Sequence, residues 1–151
     1  MSLRILEDER KFKFHKLSPD EKDKIVTMLS NILNGRKEII LATIFGGFVK
    51  SKMFRDIDIA VFTGYSIPYE KTELYEEELS KSLESIIGLP VDVKVIDYAP
   101  SWFRIRALEG VILVERAYGL VARLKFKSMQ EVLDLKAKYC NTHLKHEHGT
   151  K

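Results

Sequence analysis

The chain contains a single cysteine, Cys140, among 151 residues. No internal disulfide is available to staple it, and this cysteine usage suits a reducing compartment. Long apolar runs are also missing. The longest uncharged apolar stretch, Ile39 to Val49, falls far short of the ~20 residues that a membrane helix requires. Charge of one sign is absent too: 25 Lys and Arg stand against 22 Asp and Glu, a net +3. That surplus is too small to announce a nucleic-acid or membrane-surface binder. The start, Met1-Ser2-Leu3-Arg4, meets Glu7, Asp8 and Glu9 at once and lacks the apolar core of a secretory signal. No internal repeat and no low-complexity linker interrupt the sequence. The expectation is a cytoplasmic, membrane-free single domain.

What is present fits that expectation. Hydrophobic residues make up 45% and charged residues 31%, an ordinary globular balance that excludes a mostly disordered chain. A domain of this length buries about 68–70% of its unfolded surface, so neither disulfides nor a structural metal are needed for folding.

Residues 1–17 read as an N-terminal extension. Its alternation Lys11-Phe12-Lys13-Phe14-His15 places Phe12 and Phe14 on one face of a strand that could edge a sheet. Ser18-Pro19-Asp20-Glu21 is a helix start, with Ser18 as cap, Pro19 at the first helical position and Glu21 closing a capping box. Ile25, Met28, Leu29, Ile32 and Leu33 recur at helical spacing, and Asn34-Gly35 ends the helix. Glu38 to Phe45 is a β-branched apolar run, predicted as a strand buried on both faces and stopped by Gly46-Gly47. The basic segment Lys50 to Arg55 leads to a second strand, Asp56 to Phe62. Pro68 precedes a polar helix from Tyr69 to Ile87, closed by Gly88. Val91 to Ile96 forms a third strand. Pro100 opens a short helix carrying Trp102, Ile105 and Leu108, Val111 to Val114 a fourth strand, and residues 116–139 a last helix. Residues 18–139 form the domain, and residues 140–151 are expected as a flexible polar tail. Helices alternating with strands predict a mixed α/β layer.

The chemistry concentrates in three places. Strand alternation puts Asp56 and Asp58 on one face and Ile57, Ile59 and Val61 on the other. Two carboxylates one pleat apart repel each other, which is tolerable at an exposed strand end or around a cation. Mg²⁺ takes hard oxygen ligands and binds through one or two carboxylates plus substrate phosphates. Gly46 and Gly47 let the backbone approach a phosphate, since no Cβ intervenes. Asp92, alone among the valines of Val91-Asp92-Val93-Lys94-Val95, is costly in a strand unless something pairs with it. If its strand lies beside Asp56–Phe62, three carboxylates converge on one metal site. An Asp-x-Asp alone is commonly a solvated face; the glycine turn and the third acidic strand residue make the combination more specific.

Taken together, Ile44-Phe45-Gly46-Gly47, Asp56-Ile57-Asp58-Ile59 and Val91-Asp92-Val93 resemble the nucleotidyltransferase superfamily related to DNA polymerase beta. Within it the chain is most similar to the small prokaryotic minimal nucleotidyltransferases (MNT), which pair with HEPN-type helical proteins in toxin–antitoxin systems. The resemblance spans roughly residues 20–120, including Ala99-Pro100 and Glu109-Gly110-Val111-Ile112-Leu113. It departs from the pattern at Gly47, where many members carry Ser, at the short spacer Phe48 to Arg55, and at Ser51, where a glycine often follows the basic position of Lys50. The resemblance implies an α/β (α+β) nucleotidyltransferase fold with a mixed sheet of about four to five strands flanked by helices. It implies Asp56, Asp58 and Asp92 as catalytic and metal-binding residues holding two Mg²⁺ ions. Gly46, Gly47, Lys50, Ser51 and Arg55, with Lys52, would contact the phosphates of a nucleoside triphosphate, ATP being the expected one. The NMP group would pass to an acceptor hydroxyl, on a HEPN-type partner in one reading. In the alternative, the chain is an antitoxin that neutralises a helical HEPN ribonuclease by complex formation without essential catalysis. Nucleic acid is not an expected direct ligand, and self-association is left open.

Other conspicuous residues have plainer readings. Glu73, Glu76, Glu77 and Glu78, with Lys71 and Lys81 nearby, read as a solvated helix face. Trp102 and Phe103 are expected to pack the short helix onto the sheet. Cys140, His143, His146 and His148 lack an established zinc spacing. Lys94 shares the strand face of Asp92 and reads as a surface lysine.

Overall fold

The capping box at Ser18 forms as the sequence predicts. In the computed structural model, which describes residues 13–148, the Ser18 hydroxyl accepts the Glu21 N–H at 3.2 Å and the Glu21 carboxylate accepts the Ser18 N–H at 3.4 Å. The helix so started, α1 (Pro19–Asn34), buries Leu29 and Leu33. It is preceded by a two-residue strand, β1 (His15–Lys16). The apolar run that follows forms β2 (Leu41–Phe45), every residue of which is buried. A single helical turn, α2 (Gly47–Lys50), leads through the short β3 (Met53–Phe54) into β4 (Ile57–Phe62). A 3₁₀ turn at Tyr69–Lys71 opens α3 (Thr72–Ile87), which ends on left-handed Gly88. Then come β5 (Val91–Val95), α4 (Ser101–Leu108), β6 (Val111–Glu115) and α5 (Leu120–His148).

Four strands form one mixed sheet in the order β5-β4-β2-β6, and β1 pairs with β3 in a separate two-stranded ribbon. β2 runs antiparallel to β4 and β6, while β4 and β5 are parallel, joined across α3 as a parallel pair requires. One face carries Ile44, Ile57, Ile59, Val61, Val91 and Val93 against Leu29 and Leu33 of α1 and Leu79 and Leu83 of α3. The other packs Leu41, Phe45 and Ala60 against Ala107 and Leu108 of α4 and Val121 of α5. The buried Thr43 hydroxyl donates to the Ala107 carbonyl at 2.7 Å, tying α4 to the central strand.

The outer edge of β5 is met by side chains of α3. The Val91 N–H donates to the Glu84 carboxylate and the Val93 N–H to the Ser80 hydroxyl, each at 3.0 Å. The Val95 N–H bonds the Glu76 carboxylate. Glu76, Ser80 and Glu84 stand four residues apart, so one row of a helix face serves alternate amides of the strand.

Two expectations are corrected. The last helix does not stop at residue 139: it continues through Cys140 to His148, across most of the segment expected as a polar tail. Trp102 does not pack on the sheet; it stays 63% exposed and roughly perpendicular to the Phe103 ring, and of the two only Phe103 reaches Phe45. Phe12 and residues 149–151 lie outside the described residues, as do the side chains of His143, His146 and His148.

Candidate active site

The parallel register sets Asp92 beside Asp58, and the antiparallel register sets Phe45, the last residue of β2, on the other side of Asp58. Because Ile57, Ile59 and Val61 fill the core under α1 and α3, Asp58 emerges on the face of α4. Asp56 sits just before β4. Each of the three carboxylates is partly buried, and one oxygen from each lies within 4.8 Å of the others.

Gly46 makes room for this arrangement. Its backbone, at φ 76° and ψ −150°, lies in a region essentially restricted to glycine. A Cβ there would stand 2.5 Å from Asp58 Oδ2. Gly47 is different: a Cβ would meet Phe54 Cβ at an ordinary 3.7 Å. The serine common in the resembling proteins would therefore fit, and its absence is a change of chemistry with no change of backbone.

The electrostatics are unfavourable in the absence of a cation. Burial, then repulsion by Asp56 and Asp92, pushes the Asp58 carboxyl up to about 6, against the opposing pull of Arg106 and Lys94. Burial and then Asp92 also raise Asp56, opposed by its backbone hydrogen bond and by Arg55. Lys94 lies 3.7 Å from Asp92 and 3.9 Å from Glu76. Glu76 thus departs from the solvated face predicted for it; burial raises its carboxyl. Glu77 does stay at the surface, paired with Lys81 at 2.9 Å. An all-oxygen, like-charged cluster is the donor set that a hard divalent cation such as Mg²⁺ satisfies.

The basic segment is less tightly gathered. The Arg55 guanidinium lies 4.8 Å from the centre of the Phe14 ring, close enough to Asp56 to lower its carboxyl. Lys50, in α2, and Ser51, just after it, are exposed, as is Lys52. Among the described residues none of these lysines forms an ion pair with the three aspartates. Sequence reasoning missed Arg106, whose charge reaches Asp58 from α4. Nothing local signals that influence, since only the packing of α4 on β2 brings the charge near.

The family model "Polymerase beta, Nucleotidyltransferase" matches residues 27–118, which contain the glycine turn and all three aspartates. The chain belongs to the polymerase beta nucleotidyltransferase family. Solved structures of similar fold agree. A chain in the complex of a tri-AMPylated Shewanella oneidensis HEPN toxin with MNT antitoxin is 16% identical, with a TM-score of 0.62. The match covers 83% of this nucleotidyltransferase and 98% of that chain. A toxin–antitoxin structure with AMP-PNP is 17% identical at a TM-score of 0.59, covering 87% and 99% of the two chains. The MntA–HepT toxin–antitoxin is 18% identical at 0.56, covering 86% and 99%. A comparison with curated proteins finds no match.

Proposed function

We propose that this nucleotidyltransferase transfers AMP from ATP to a hydroxyl group on a HEPN-type protein partner, in the cytoplasm. The observation that carries the reading is the convergence of Asp56, Asp58 and Asp92 beside the Gly46 turn. The fold's occurrence in one structure with AMP-PNP and in another with a tri-AMPylated HEPN toxin supports the nucleotide and the acceptor class. No helix among the described residues is long and apolar enough to cross a membrane.

Two Mg²⁺ ions held by Asp56, Asp58 and Asp92 would stabilise the attacking and leaving oxygens of an in-line displacement at the α-phosphate. The protein's own contribution is placement. Gly46 and Gly47 offer backbone N–H groups to the phosphates where no side chain stands in the way. Lys50 and Ser51, which follow that turn, and Arg55, whose charge reaches Asp56, would supply charge and a hydroxyl for the triphosphate. Asp92, on the edge strand, is the carboxylate farthest along the sheet from the glycine turn. It faces the acceptor and takes up the hydroxyl proton as the new P–O bond forms and pyrophosphate departs.

The test is incubation of the chain and its HEPN-type partner with α-labelled ATP and Mg²⁺, followed by mass spectrometry of the partner. Label and added AMP mass on the partner are expected. Loss of even an outer-shell partner of a metal site typically costs ~10–100-fold, so Asp58→Asn should leave less than about one per cent of the transfer. Equal labelling by Asp58→Asn would refute the reading. So would full neutralisation of the partner by the Asp56→Asn/Asp58→Asn double variant, which would assign the function to binding alone.

A further inference from the structure

The turn after Gly46 cannot hold its own shape. α2 is one turn of four residues beginning with glycine, far below the length at which a helix is stable by itself. Its conformation is therefore imposed from outside. Phe48 is 2% exposed and meets Phe54 edge-to-face at 5.0 Å, which secures the middle of the segment. The C-terminal end is secured by Lys22. Its ammonium donates to the Phe48 carbonyl at 2.7 Å and to the Ser51 carbonyl at 2.8 Å. It also lies 5.2 Å from the centre of the Phe48 ring and 5.6 Å from that of Phe54.

Both hydrogen bonds are charge-assisted, and a cation at the carbonyl end of a helical turn complements the partial charge there. Lys22 is itself fixed, because it lies in the first turn of α1. Its own N–H donates to the Ser18 carbonyl at 3.0 Å, inside the capping box. The brace therefore runs from the Ser18 cap, through the Lys22 stem, to both ends of the Phe48–Ser51 segment. Lys22 precedes the residues 27–118 matched to the family, so the match itself assigns it no part.

We propose that Lys22 is a positioning residue for the nucleotide. It holds the Gly46–Ser51 turn in the shape that receives the triphosphate, and it contacts neither the carboxylates nor the reacting atoms. The inference rests on the reading above, in which this turn takes the phosphates. Its loss weakens capture of ATP and spares the chemical step.

The experiment compares wild type, Lys22→Met, Lys22→Gln and Lys22→Arg. Met keeps an apolar stem over the two rings and removes the donors. Arg retains donors for both carbonyls. Binding of ATP with Mg²⁺ is measured by calorimetry, and KM and kcat by transfer to the HEPN-type partner. Two lost charge-assisted bonds predict a rise of about ten-fold in Kd and KM for ATP in Lys22→Met, with kcat within about two-fold of wild type. Lys22→Arg should return both constants to near wild type, and amide exchange at residues 48–51 should accelerate in Lys22→Met and Lys22→Gln and stay at the wild-type rate in Lys22→Arg. Should Lys22→Met not fold, Lys22→Gln carries the same expectation. Unchanged KM and Kd in a folded variant would overturn the proposal, as would a fall in kcat at constant KM. Wild-type protein that binds ATP but transfers nothing would instead refute the underlying reading, and this one with it.

Discussion

The two ends of the parallel pair β4–β5 treat buried acid in opposite ways. At the far end Asp97, 1% exposed, is met by donors: the Thr63 N–H at 3.0 Å, the Thr63 hydroxyl at 3.0 Å and the Tyr65 N–H at 2.7 Å. Arg104 closes the same corner by donating to the carbonyls of Ile96 and Asp97. At the near end Asp56, Asp58 and Asp92 are met chiefly by one another. A carboxylate that serves the fold is surrounded by N–H and O–H groups; three that face each other cost stability until a cation arrives. Fold and chemistry are thus separated along the same two strands, about a strand's length apart.

Exchanging acid for amide at each end is the sharpest way to break that contrast. Asp58→Asn should cut AMP transfer more than about a hundred-fold while raising the melting temperature of the metal-free chain, since repulsion is relieved. Asp97→Asn should do the reverse, costing about 2–3 kcal/mol because an amide NH₂ is turned toward buried donors, with ATP affinity retained. Calorimetric melting and the transfer assay on the same preparations check both. Parallel losses of stability at the two ends would abolish the distinction.

A smaller effect is expected from Gly46→Ala. The added Cβ would collide with Asp58 Oδ2 in a backbone region closed to alanine. Displacing a reacting group by about 1 Å costs on the order of 100-fold, and partial relaxation here should leave a loss of tens of fold in kcat/KM. Gly47→Ser, which meets only ordinary contact with Phe54, should fold normally and leave kcat/KM no lower than wild type.

The smallest effect is in pH. The Asp58 carboxyl is raised from 3.8 to about 6 in the folded chain. The folded state therefore holds its proton where the unfolded state has lost it. This group's contribution is fully present below about 3.8 and is lost as pH rises through about 6. The melting-temperature advantage of Asp58→Asn over wild type, measured without metal, should therefore grow between pH 4 and pH 6 and level above pH 7. Saturating Mg²⁺ should remove it by stabilising the ionised wild type. An advantage independent of pH would show that Asp58 is not under electrostatic load.

Much of this design is legible in the sequence because it is local. Ser18 and Glu21 announce the start of α1 through backbone hydrogen bonds three residues apart, and Gly88 marks the end of α3 by its left-handed φ. The alternation around Asp58 fixes its face before any fold is known. What the sequence leaves open is set by distant packing. The adjacency of β5 and β4, on which Asp92 depends, follows from a crossover that no local pattern encodes. The α2–β3 segment has no periodicity of its own, being held by Lys22, Phe54 and the β1 pairing. Glu76 reads as one more surface acid until the edge of β5 is placed against it. Trp102 looks like core by type, yet the space beside the sheet is taken by Phe103.

That row of Glu76, Ser80 and Glu84 has a further result. The amides which an incoming extended peptide would recruit at β5 are already engaged from within the molecule, so this border is closed to β-augmentation. Any companion approaching beside Asp92 must present a helix, a loop or a single protruding side chain, and strand-to-strand polymerisation on that flank is barred.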